Sequence, residues 1–167
     1  RDILPSLTDV DLVMTSPPYN MSEGGRRSSG KDWRRLHDGY ATYNDDMPHE
    51  EYVEWQRDVL CMCWAALSET GAIYYQHKPI MRDGVCRLPL EQVPTEAILR
   101  QIVTWDRRVG FTQSHWYYTP RYEWVVILAP MEHRIVNLGV FDVWEIAPNA
   151  DKEHPASYPL ELPTKAI

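Results

Sequence analysis

The segment from Thr15 to Tyr19 (TSPPY) combines side-chain types at a spacing that can do specific chemistry. It follows VDLVM at residues 10–14, a short apolar run typical of a buried parallel strand. Prolines have no backbone N–H, so the chain must leave the sheet directly after Ser16. Ligands of α/β sheets bind beyond the carboxyl ends of the strands, and TSPPY lies at such an end.

The groups of this segment suit a flat ring that carries an exocyclic amine. Such an amine could donate one hydrogen bond to the Ser16 hydroxyl and another to a backbone carbonyl near Pro17. The Tyr19 ring could stack on the flat face. A nucleic-acid base held in this way must first leave its helical stack. Two prolines after a strand are more often only a turn, so the interpretation depends on the rest of the chain.

The elements that must position this segment alternate between strand and helix. An amphipathic pattern predicts a helix over 48–67, with Gly71 ending the helical region, and weaker patterns predict helices around Thr95–Arg100 and from Leu160. Strands are predicted over 72–76, 101–105, 123–129 and 142–146, and residues 20–44 are predicted to form a polar loop. This order predicts a single α/β domain over residues 1–167, with a mostly parallel sheet and an antiparallel member near its end.

Charge and composition limit the classes of partner. The net charge of −7 argues against a phosphate-bearing partner, but residues 41–69 hold seven acidic residues against one basic residue. Residues 20–40, in contrast, hold five basic and three acidic residues. No apolar run could span a membrane, and the three cysteines form no CxxC pair. We therefore expect a cytoplasmic protein without a metal site, a disulfide framework or a membrane partner.

Five segments in a fixed order carry a family resemblance: RDILPSL..VDLVMTSPPYN, GAIYYQHKP, QIVTWDR, TPRYEWVVILA and DVWEI....KEHPASYPLELP. Over nearly all of its length the chain resembles the site-specific DNA methyltransferases that modify exocyclic amino groups. Within them it resembles the permuted group, in which the catalytic motif precedes the cofactor motif. The resemblance implies a Rossmann-like, S-adenosylmethionine-dependent methyltransferase fold. It also implies methyl transfer to a base flipped out of double-stranded DNA, in a bacterial, archaeal or phage-encoded modification system.

The resemblance also implies roles for individual residues. It assigns catalysis to Ser16, Pro17, Pro18 and Tyr19, cofactor contacts to Thr15, His154, Pro155 and Ala156, and DNA contacts to Arg26, Arg27, Lys31, Arg34 and Arg35. A proline-rich linker around His154 and a solvated loop over residues 26–35 are the plain alternatives. Serine before the proline pair is the form most common in enzymes that methylate cytosine N4, whereas aspartate is typical of those that methylate adenine N6. The resemblance therefore favours cytosine N4 as the target, and adenine N6 stays open.

The chain also departs from the family's pattern. It has no counterpart of the F-x-G-x-G turn that cradles the cofactor, and residues 130–141 are too few for a target-recognition domain. The sequence therefore predicts an incomplete methyltransferase domain. A noncatalytic module that binds DNA or a protein partner is the alternative, and Ser16 counts against an RNA amino-methyltransferase. A homodimer or a partner subunit stays open.

Overall fold

The computed structural model describes residues 3–20, 47–110, 114–148 and 159–167. The strands are β1 (Val10–Thr15), β2 (Leu67–His77), β3 (Ile80–Arg82), β4 (Val85–Arg87), β5 (Leu99–Asp106), β6 (Tyr122–Leu128) and β7 (Val143–Glu145). The α-helices are α1 (His49–Ala66) and α2 (Glu161–Ala166), and two short 3₁₀ turns lie at Leu4–Ser6 and Pro89–Gln92. The predicted loop over residues 20–44 lies, apart from its first residue, outside the described residues.

Five strands form one sheet in the order β1-β2-β6-β5-β7, and β3 and β4 form a separate hairpin. The pairings β1 with β2 and β5 with β7 are parallel, whereas β6 runs antiparallel to both β2 and β5. Four of the five strands therefore point the same way, and β6 alone opposes them. The expected mostly parallel α/β sheet with an antiparallel member is confirmed.

Both faces of the sheet are covered, and the alternation of side chains along β2 divides the core in two. Ala72 and Tyr74 face a cluster that includes Leu162 of α2. Ile73 and Tyr75 face the opposite cluster, to which α1 contributes two buried residues. A segment buried on both faces has no polar alternation, which is why residues 72–75 of β2 (AIYY) form a continuous apolar run.

Two local predictions were wrong. Residues 95–98 contain no helix, and β5 already begins at Leu99, because this segment pairs with β6 from Leu99↔Leu128 onward. Gly71 does not end a helix: α1 ends at Ala66, and Gly71 lies within β2 at a register shift against β1. A Cβ at Gly71 would come 2.4 Å from the carbonyl oxygen of Val10, so glycine is required there by close packing of two strands.

Candidate active site

The TSPPY segment lies where three strands meet at one edge of the sheet. Strands β1 and β2 are parallel and adjacent, so their carboxyl ends, Thr15 and His77, share this edge. Strand β6 runs the opposite way, so its amino end brings Glu123 to the same place. The prediction that TSPPY lies beyond the carboxyl end of a parallel strand is confirmed.

Ser16, Tyr19 and Glu123 form a hydrogen-bonded chain. The Ser16 Oγ and Tyr19 hydroxyl oxygen atoms are 3.3 Å apart, and the Tyr19 hydroxyl donates to Glu123 Oε2 at 2.9 Å. Burial, reinforced by the charge of Glu123, raises the pKa of Tyr19 well above its ordinary value. The Tyr19 hydroxyl therefore stays protonated at physiological pH.

The Glu123 carboxylate is almost completely buried, with 6% of the residue exposed, and is surrounded by donors. Arg107 Nη1 lies 3.0 Å from its Oε1 atom, and the side-chain amide of Gln76 donates to Oε2. The Gln76 Oε1 atom is buried and has no hydrogen-bond partner among the described residues. Sequence reasoning missed both Gln76 and Glu123, because nothing in a linear pattern marks residues that meet only through strand order.

The backbone of the proline pair is held by α1. The Tyr52 hydroxyl donates to the Pro18 carbonyl at 2.7 Å and lies 2.8 Å from His77 Nε2. Among the described residues none donates a hydrogen bond to the Pro17 carbonyl. Within the described part of the chain, the Pro18 carbonyl therefore has a donor and the Pro17 carbonyl has none.

His77 packs against the ring of Tyr19. Its ring centroid lies 4.5 Å from that of Tyr19, and its Nδ1 atom lies 2.8 Å from the Lys78 carbonyl oxygen. Burial, with a smaller contribution from the Lys78 charge, lowers the pKa of His77 from 6.5 to about 4. The imidazole is therefore neutral at pH 7, and the Nδ1 atom carries the proton that its carbonyl partner accepts.

Asn20 secures the chain immediately after the motif. Its side-chain amide donates to the Met47 carbonyl and accepts from the Met47 N–H, both at 2.7 Å. Arg82 in turn donates to the backbone carbonyl of Asn20 at 3.0 Å. Its φ of +54° is in the left-handed region, which asparagine tolerates better than most residues. Asn20 thus joins the end of the TSPPY segment to the start of α1, another role that sequence reasoning did not assign.

The remaining predicted site residues are only partly described. Thr15 ends β1 and is half-buried. The predicted cofactor residues His154–Ala156 and the predicted DNA-contacting residues between Arg26 and Arg35 lie outside the described residues. In the described segments no group of three His, Cys, Asp or Glu side chains could hold a metal ion. No helix in those segments is long and apolar enough to cross a membrane.

Known proteins resemble the chain both in sequence and in fold. The type II methyltransferase M.BglII from Bacillus subtilis is 32% identical over 82 residues, which make up 49% of this chain and 18% of that protein. The fold matches PvuII DNA methyltransferase (cytosine-N4-specific) with a TM-score of 0.72 at 16% identity, covering 99% of this chain and 65% of that one. It matches the M1.HpyAVI–SAM complex with a TM-score of 0.50 at 11% identity, covering 99% and 68%.

The two structural matches, at such low identity, show the fold alone, and this chain spans less than two thirds of the PvuII enzyme's length. The family follows from the sequence itself. Residues 10–167 match the family model N6_N4_Mtase, described as DNA methylase, and so the chain belongs to this DNA methylase family.

Proposed function

We propose that the protein transfers a methyl group from S-adenosylmethionine to the exocyclic amino group of a base flipped out of double-stranded DNA. The observation that carries this proposal is the pair of acceptors that follow β1, the Ser16 hydroxyl and the Pro17 carbonyl, to which no described residue donates. An exocyclic amine has two N–H donors, and two acceptors on consecutive residues of a proline-stiffened segment can match them.

The acceptors prepare the amine for attack. The nitrogen lone pair of a cytosine or adenine amine is delocalised into the ring, which makes the amine a weak nucleophile. Hydrogen bonds to Ser16 and to the Pro17 carbonyl favour a tetrahedral nitrogen, because they hold both N–H groups away from the position of the incoming methyl group. Tyr19 offers its ring to the flipped base, and no covalent intermediate with the protein is required.

S-adenosylmethionine would supply an electrophilic methyl group on a sulfonium. Of the predicted cofactor residues, Thr15 lies in the described part of the chain. It is half-buried at the same sheet edge as Ser16, a placement that fits a ligand bound there. The M1.HpyAVI neighbour, whose structure is a SAM complex, supports the same donor.

Cytosine N4 is the favoured acceptor within this proposal. Ser16 stands where aspartate is typical of adenine-directed relatives, and the PvuII neighbour is cytosine-N4-specific. The alternative is methylation of adenine N6, whose amine presents the same two donors.

Nucleoside mass spectrometry tests the proposal directly. DNA from cells that express the complete gene product should contain N4-methyldeoxycytidine, and Ser16→Ala should reduce its amount by about 10²-fold, the effect typical of losing one preorganised hydrogen bond. Ser68→Ala is the matched control, because Ser68 donates to Asp11 at the opposite end of the same two strands. N6-methyldeoxyadenosine alone would overturn the cytosine assignment. Absence of both products in the wild type would overturn the proposal as a whole.

A further inference from the structure

We infer that Glu123 is a positioning residue: its carboxylate sets the direction of the hydrogen-bond chain through Tyr19, so that the Ser16 oxygen faces the target amine as an acceptor. The inference rests on the proposed function, because it assigns a task to Ser16 only if an amine binds there. It goes beyond that function in naming a residue that acts through two intervening hydroxyl groups.

The direction follows from counting protons. Arg107 and Gln76 both donate to Glu123, so the carboxylate is the acceptor end of the network. The Tyr19 hydroxyl has one proton and uses it toward Glu123 Oε2. In the 3.3 Å contact between Ser16 and Tyr19, the proton must then come from Ser16.

The consequence appears at the Ser16 oxygen. A serine hydroxyl has one proton and two lone pairs. When the proton points to Tyr19, both lone pairs stay available for an N–H donor. If the hydrogen bonds ran the other way, Tyr19 would donate to Ser16 and occupy one of its two lone pairs. The Ser16 proton, no longer directed at Tyr19, would then compete with the amine N–H for the remaining side of the oxygen.

Glu123→Gln should reverse the direction of the hydrogen bonds from Ser16 through Tyr19 to position 123, because glutamine has nearly the same shape as glutamate. Arg107 lies 3.0 Å from Oε1 and requires an acceptor, so the glutamine oxygen stays at that position. The new amide N–H₂ then faces Tyr19, which must accept from it and turn its own proton toward Ser16. Gln76 can flip its amide and present Oε1, the atom that now lacks a partner among the described residues, to the new donor.

The test is a double-mutant cycle in the complete gene product. The single-turnover methylation rate is measured with tritium-labelled S-adenosylmethionine and unmodified genomic DNA, together with KM for the DNA. Glu123→Gln should lower the rate about tenfold, and Tyr19→Phe about threefold, the range expected for one hydrogen bond. The double variant should match Tyr19→Phe alone, because without the tyrosine hydroxyl the glutamine cannot direct a proton to Ser16. Removing that hydroxyl would thus restore part of the rate lost in Glu123→Gln.

Glu145→Gln is the control, since Glu145 is an exposed carboxylate that pairs with Arg108 at 2.7 Å, and its rate should equal that of the wild type. A structural role for Glu123 predicts instead that its substitution costs the same factor with Tyr19 or Phe at position 19, and that outcome overturns the inference. If Glu123→Gln does not fold, Tyr19→Phe decides the question, because an unchanged rate in that variant excludes any action through the hydroxyl. A wild-type protein that methylates no DNA refutes the proposed function, whereas a methylating wild type without rescue refutes only this inference.

Discussion

Replacing Tyr52 by phenylalanine tests whether α1 holds the TSPPY segment in place. Tyr52 is 1% exposed, and its hydroxyl donates to the Pro18 carbonyl at 2.7 Å while lying 2.8 Å from His77 Nε2. Phenylalanine fills the same volume apart from this oxygen. The substitution therefore removes two contacts of one polar atom and leaves the apolar packing of the ring in place.

The expected loss of stability in Tyr52→Phe follows from the polar groups that remain after the hydroxyl is removed. The hydroxyl has one proton, which it donates to the Pro18 carbonyl, and His77 Nε2 carries no proton of its own. The substitution therefore leaves one buried acceptor without its donor, at a cost of about 1–3 kcal/mol. We expect the free energy of unfolding to fall by about 2 kcal/mol, which corresponds to a drop in melting temperature of about 4–8 °C for a domain of this size.

Urea unfolding followed by circular dichroism measures this loss, with the wild type and Tyr118→Phe as references. Tyr118 is 98% exposed, so removal of its hydroxyl should leave the midpoint unchanged. Methylation by Tyr52→Phe should fall as well, because the Pro18 carbonyl loses the hydrogen bond that fixes the backbone beside Pro17. A loss of stability below about 1 kcal/mol would refute the reasoning, since it would mean that these buried groups find other partners.

Two further predictions concern stability. Because burial lowers the pKa of His77 from 6.5 to about 4, the unfolded chain binds a proton in this interval that the folded protein does not. Stability should therefore be complete above pH 6.5 and decline by about 3 kcal/mol toward pH 4, and a His77→Gln variant with the same pH slope in urea titrations would contradict this. Gly71→Ala places a Cβ 2.4 Å from the Val10 carbonyl oxygen, so we expect a loss of about 1–3 kcal/mol in the same assay. Wild-type stability in that variant would show that the two strands do not approach so closely.

The parts of the fold that the sequence predicted are those fixed by local patterns. The helix over 48–67 repeats its apolar residues at helical spacing, and the structure has α1 at His49–Ala66. The run at residues 10–14 is followed, after Thr15 and Ser16, by two prolines, so the end of β1 could be placed to within one residue. The prediction of a helix around Thr95 was wrong for the opposite reason. The residues of this segment favour a helix locally, but its pairing with β6 is a long-range contact that no local pattern reveals.

The same distinction applies to the site. Ser16 and Tyr19 are contiguous and could be recognised together, whereas Glu123 meets Tyr19 across 104 positions of sequence. Their contact depends on β6 being inserted, antiparallel, between β2 and β5. A shift of β6 by one residue would turn Glu123 to the other face of the sheet and bring Trp124 in its place. The sequence could therefore identify the proposed acceptors for an amine but not the carboxylate behind them.

The energetics of Glu123 argue for a task beyond stability. Taking the Glu123 carboxylate out of water costs several kcal/mol, and its attraction to Arg107, whose side chain is 26% exposed, often does no more than offset such a cost. An apolar residue at position 123 would continue the alternation of Val125 and Ile127 on the same face of β6 and would pack without that penalty. Instead, Gln76 of β2, Glu123 of β6 and Arg107, which directly follows β5, meet at the one edge where the Tyr19 hydroxyl needs an acceptor. A costly buried charge, surrounded by donors and hydrogen-bonded to Tyr19, is better explained by the orientation of Ser16 than by the stability of the sheet.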